Sequence, residues 1–223
     1  MSQRFLLSLI VLFLVFTQTT WGATAPKPAS KIRILPVPFT SQAPYAKWDS
    51  THQEACEEAS MLMVAEYVKK TKGVVLSPEY AEAEILKLID WETKYLFAQD
   101  VTAAETVKIL QDYYNISATV VPYSAARIKQ EIDARRQVII PAAGRLLKNP
   151  YFRRPGPLYH MLVIVGYDGD EFIVNDPGTK RGQWFRYKEK ILSRAVHDWN
   201  GGQVEKGERV MIVFQKQNSN PKQ

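Results

Sequence analysis

Three residues suited to nucleophilic acyl transfer follow one another along this chain: Cys56, His160 and Asp176. Cys56 is the only cysteine. It has no partner for an internal disulfide, so it is either a small buried hydrophobe or a reactive thiol. It lies in Gln53-Glu54-Ala55-Cys56-Glu57-Glu58-Ala59-Ser60, at the expected start of a helix. The unpaired N–H groups of a first helical turn and a neighbouring imidazolium both stabilise a thiolate. His160 opens an apolar run and would take the thiol proton, then give it to the leaving group. Asp176 closes the next apolar run and would hold the imidazole in one tautomer. An oxyanion forming on the attacked carbonyl would need a side-chain amide and a backbone N–H beside Cys56.

The rival residues point elsewhere. His52 reads as a solvated loop residue and His197 as part of a surface turn. A zinc site from Cys56, His52 and Glu57 has unsuitable spacing, so no metal and no cofactor is expected. Strand alternation lets only one of Asn175 and Asp176 face His160, and the carboxylate makes the stronger charge-assisted bond. Tyr45 and Trp48, in the loop before Cys56, either line a substrate groove or cap the core.

These residues need elements to hold them. A helix is expected over about 55–70, with Cys56, Ala59, Met63 and Tyr67 along one side and Gly73 beyond its end. Ser77-Pro78 starts a second helix. A third covers 102–114, a strand 118–123, and a fourth helix 124–136 with Ser124 as its cap. The pattern then turns to strands at 138–143, 161–166, 172–174, 183–187 and 210–214. Ile32, Ile34 and Val37, interleaved with Pro36 and Pro38, read as an edge strand. Asp168-Gly169-Asp170 is a hairpin turn. His160 lies nine residues before Gly169 and Asp176 seven after it, which predicts a cross-strand contact at the open end of the hairpin. The fold class is therefore α+β, an N-terminal helical half packed on a C-terminal antiparallel β-sheet, with the site between the halves.

Four segments together resemble a known family. They are Val37-Pro38-Phe39-Thr40-Ser41-Gln42, Cys56 to Met63, His160 to Asp168, and Val174-Asn175-Asp176-Pro177-Gly178-Thr179. They are similar to the papain-like cysteine peptidases related to the enzymes that process double-glycine bacteriocin leaders, over roughly residues 33–215. The resemblance implies a papain-like peptidase with Cys56 as nucleophile, His160 as base and Asp176 as orienter. It implies an oxyanion-hole glutamine upstream of the cysteine, with Gln42 the first choice and Gln53 the second. The chain departs from the family where glycine commonly follows the nucleophile. Glu57 and Glu58 stand there instead, and like charge raises a neighbouring thiol's pKa. It also lacks the ATP-binding motif and membrane spans of the bacteriocin exporters in this group, and reads as a stand-alone bacterial member.

The rest of the sequence bounds the setting. Arg4 followed by the apolar run Phe5 to Phe16 and the small residues Gly22, Ala23 and Ala25 reads as a signal peptide over 1–22. Uncleaved, it would anchor the chain to a membrane. A linker is expected at 23–31, the peptidase domain at 32–216 and a disordered tail at 217–223. Export to the periplasm or beyond follows. The formal charge is +6, and +5 without Arg4. This mild, dispersed excess allows contact with an acidic envelope, and no nucleic-acid motif accompanies it. Two functions fit: a hydrolase cleaving a peptide or protein substrate, with transglutaminase-like acyl transfer as a variant, or a silent papain-like module binding peptide or envelope components.

Overall fold

The computed structural model describes residues 32–215. The expected signal peptide, linker and tail lie outside the described residues. The chain runs β1 (Arg33–Ile34), α1 (Ser50–Gln53), α2 (Cys56–Val68), α3 (Pro78–Lys94), α4 (Ala103–Tyr114), β2 (Ala118–Pro122), α5 (Ala125–Asp133), β3 (Val138–Ala143), α6 (Gly144–Leu147), β4 (Tyr159–Asp168), β5 (Glu171–Asn175), β6 (Phe185–Lys188), α7 (Glu189–Ala195) and β7 (Val210–Phe214). It is the α+β arrangement expected, a helical first half followed by an antiparallel sheet.

The sheet order is β2-β7-β3-β4-β5-β6. The first strand is shorter than expected. β1 covers only two residues and pairs with Tyr167 and Gly166 of β4, beyond the point where β3 starts opposite Ile164. A side chain at 166 would meet the carbonyl of Arg33 at 2.1 Å, so glycine is needed for this close approach.

Helix boundaries follow their caps. Ser77 accepts from the N–H of Tyr80, with Pro78 in the first turn. Thr102 and Glu105 form a reciprocal capping box on α4. Ser124 caps α5 through the N–H of Arg127. The α2 helix is different: its cap position is Ala55, with no side-chain cap, and Cys56 to Glu66 are all buried. Its apolar and small residues are spread over every side, with three buried glutamates among them, so it sits in the middle of the molecule rather than on its surface. Ser60 Oγ donates to the carbonyl of Met161 at 3.2 Å, tying α2 to β4. Burying Met61, Leu62, Met63 and Val64 completely is worth about 1.5–3 kcal/mol for each large side chain. The helix that carries Cys56 is thereby fixed against the strand that carries His160.

Candidate active site

The hairpin of β4 and β5 brings His160 and Asp176 together, by a route other than simple opposition. Val163 pairs with Asn175, and the register shifts at a bulge between Ile164 and Gly166. Continuing that register would put Leu162, not His160, opposite Asp176. The contact forms because β5 ends at Asn175, and the chain turns at Asp176, whose N–H donates to Gly182 O at 3.0 Å. His160 Nε2 then lies 2.8 Å from Asp176 Oδ1, with both side chains buried. Asn175 faces the other way. Its amide donates to the carbonyls of Val37 and Pro38 and its oxygen accepts from Trp184.

Asp176 is fully satisfied. Oδ1 also accepts from the Gly178 N–H, while Oδ2 accepts from Tyr187 Oη at 2.7 Å and Asn149 Nδ2 at 3.0 Å. Burial alone would push this carboxyl up, but His160, Tyr187 and the Gly178 N–H overcome it and hold the group below the usual range. Asn149 and Tyr187 were not legible as site residues. Each is an ordinary polar residue in sequence, 27 and 11 residues from Asp176. A carboxylate can only accept, so Nε2 carries the proton and Nδ1 is the basic nitrogen. Phe152 meets the imidazole edge-on at 5.2 Å between ring centres.

Cys56 opens α2, as expected, and the backbone N–H of Met161, the residue after His160, acts to lower the thiol's pKa. The thiol itself donates to Glu57 Oε2 at 2.8 Å. Burial, then the charge of Glu57 and this hydrogen bond, push the thiol well above its ordinary pKa. Glu57 is buried too. Its other oxygen accepts from the Val101 N–H at 3.4 Å. Burial and the neighbouring Glu58 push its carboxyl well up. Cys56 is 5% exposed and His160 1%, so the described conformation is closed over both.

The remaining expected residues are placed as follows. Gln42 is buried beside the site, its N–H bonded to Pro177 O, the residue after Asp176. Its side-chain amide gives both protons away, to His52 O at 2.9 Å and Gln53 O at 3.0 Å, leaving Oε1 without a partner. It therefore braces the loop before Cys56, and an oxyanion could use it only after those bonds break. Gln53 is exposed and donates to Trp48 O. Tyr45 and Trp48 are exposed, at 60% and 40%. His52 corrects its reading as a solvated residue: it is buried, between Asp49 Oδ1 at 2.7 Å and Glu82 Oε2 at 3.1 Å. His197 is half-buried, its Nδ1 on Gly207 O.

A model of the Peptidase_C39-like family matches residues 34–202, most of the chain. The chain belongs to this family. The C39-like match contains Cys56, His160 and Asp176. Among solved structures, one of a Bacillus anthracis protein assigned as a C39-like peptidase is similar, at 15% identity and a TM-score of 0.55. The match covers 84% of this chain and 99% of that one, a likeness of fold. Comparison with curated proteins returns no match. Within this C39-like chain, a cavity of about 880 Å³, lined by Tyr67, Lys70, Lys72, Arg135 and Arg136 among others, includes none of the expected site residues.

Proposed function

We propose that the chain is an exported thiol peptidase or amidase that cleaves a peptide bond through an acyl-enzyme. The observation that carries this reading is the buried His160–Asp176 pair, on a strand to which the helix opened by Cys56 is tied through Ser60. Asp176 fixes the Nε2–H tautomer, which leaves Nδ1 to accept the thiol proton. The thiolate sulfur then bonds to the substrate carbonyl carbon, and the carbonyl electron pair moves onto oxygen. The unpaired N–H groups at the head of α2 would donate to that oxyanion. Imidazolium Nδ1–H protonates the leaving amine as the C–N bond breaks. Water then gives a proton to Nδ1 as its oxygen bonds to the acyl carbon, the C–S bond breaks to free the acid, and Nδ1–H returns the proton to sulfur. For the first step the thiol must leave Glu57. The basic and apolar run at 4–16 supports action outside the cytoplasm.

A second reading has its own support. A thiol that donates to a carboxylate, in a site closed to solvent, suits a papain-like module that binds peptides without cutting them. The pH dependence of Cys56 alkylation by iodoacetamide separates the two, measured in wild type and His160→Ala. The peptidase reading expects a titration in wild type that His160→Ala alters, together with peptide hydrolysis lost in Cys56→Ala. Identical profiles in both proteins, with no hydrolysis, would leave the binding module.

A further inference from the structure

The carboxyl groups around the head of α2 are not treated like the other buried carboxyls of this molecule. Glu131, on α5, is 1% exposed and is met by both Arg127 and Arg136. Glu66 is 3% exposed and takes Lys69, Thr71 and Tyr80. Asp176 faces His160. Glu57, Glu58 and Glu92, by contrast, enter no ion pair among the described residues, in a chain with six more basic than acidic side chains. Glu58 and Glu92 are 5% and 6% exposed, and Glu58 Oε2 and Glu92 Oε1 receive no hydrogen bond from any N–H or hydroxyl of the described residues. The two carboxyls face each other closely enough to share one proton.

Both line a cavity of about 260 Å³, with Glu54 as a third acid. Of the remaining wall, Ile89, Phe97 and Ala98 supply apolar surface, and Thr51, Thr93 and Gln99 supply neutral polar groups. An acidic pair with an apolar wall matches a cation on an aliphatic stem. A metal ion fits less well, because no three acidic, histidine or cysteine side chains of the described residues converge as ligands. The cavity lies at the same end of α2 as the nucleophile. Glu54 and Glu58 flank Cys56 two residues to either side, and the charge of Glu58 acts on the thiol.

We propose that this cavity binds the side chain of a lysine or arginine in the peptide that the site takes up. The proposal names the substrate class for the function read above, but the binding step itself requires no cleavage. The cation replaces the proton shared by Glu58 and Glu92, and its stem lies along Phe97 and Ile89. By cancelling the negative field near Cys56, occupancy also favours the thiolate.

The test is calorimetric titration of the Cys56→Ala protein with Nα-acetyl-arginine amide, with Nα-acetyl-norleucine amide, and with calcium chloride alone. The expected result is arginine amide binding about tenfold tighter than its uncharged counterpart, the scale of one charge-assisted hydrogen bond. Glu92→Gln should remove that advantage. Glu54→Gln, at an exposed position less costly to folding, should reduce it about threefold. Equal binding of the two amides overturns the proposal, as does an arginine advantage indifferent to both substitutions. Calcium binding that excludes arginine amide also overturns it and makes the cavity a metal site. Because Cys56 is absent from the titrated protein, these outcomes stand apart from whether the wild type hydrolyses peptides.

Discussion

On the sheet side of the site, Asp176 receives hydrogen bonds from His160, Gly178, Tyr187 and Asn149. On the helix side, Glu57, Glu58 and Glu92 crowd together without a cation among the described residues. Both sets are buried, yet the carboxyl of Asp176 is held down while those of the three glutamates are pushed up. Burial alone therefore does not decide the charge of a carboxyl here; its partners do. The sheet side is organised in advance for an imidazolium. The helix side keeps its thiol neutral and its acids partly protonated until something changes their field.

The sharpest break of this contrast is Asp176→Asn. It takes away the negative charge that faces His160 and sets an amide against Asn149. We expect a loss of about 3–5 kcal/mol in folding stability, read by denaturant titration. If peptides are hydrolysed, the rate should fall roughly 10³–10⁴-fold. Glu57→Ala acts on the opposite side. Removing the thiol's acceptor and nearest negative charge should lower the Cys56 pKa and speed iodoacetamide alkylation at pH 7 about tenfold. An unchanged rate would mean that burial alone silences the thiol.

Gly178→Ala probes how tightly the sheet side is packed. The added carbon would stand 2.8 Å from Phe152 and 2.9 Å from His160. A cost of about 1–3 kcal/mol in thermal stability is expected. The mildest test is Glu58→Gln. Burial raises Glu58 to about 7 and Glu92 to about 10. The native state therefore binds more protons than the unfolded chain above pH 4.5, and stability falls as pH rises through 7 and toward 10. Asp176 acts in the other direction, its stabilisation being lost as pH falls below 3.8 through its lowered folded value. Glu58→Gln should flatten the alkaline decline and raise stability at pH 8 by about 1–2 kcal/mol, as thermal melts from pH 5 to 9 would record.

Much of this arrangement is legible in the sequence because local chemistry announces it. Ser77-Pro78 and Ser124 mark helix starts that the structure keeps, and α4 begins beside Thr102 where a helix over 102–114 is expected. Cys56 begins its helix, and the Gly169 turn sets β4 against β5. Short elements escaped. α1, α6 and α7 span four, four and seven residues, too few for a periodic pattern to stand out. The bulge after Ile164 was also hidden, because pairing symmetry counted from a turn assumes an unbroken ladder. His52 was misread for a related reason. Its burial depends on Glu82, thirty residues away on α3. Asn149 and Tyr187 likewise reach Asp176 only through the fold, and the amide of Gln42 is committed by a loop whose path the sequence does not specify.

The end of β5 carries one further consequence. Asn175 and Asp176 stand back to back, the amide sewn to Val37, Pro38 and Trp184, the acid turned to His160. A slip of one residue in strand pairing would exchange their faces. It would press a carboxylate against two backbone carbonyls and offer an amide to the imidazole. Misaligned chains are thus rejected by charge as well as by packing. The native register is the one that satisfies both the acid and the amide.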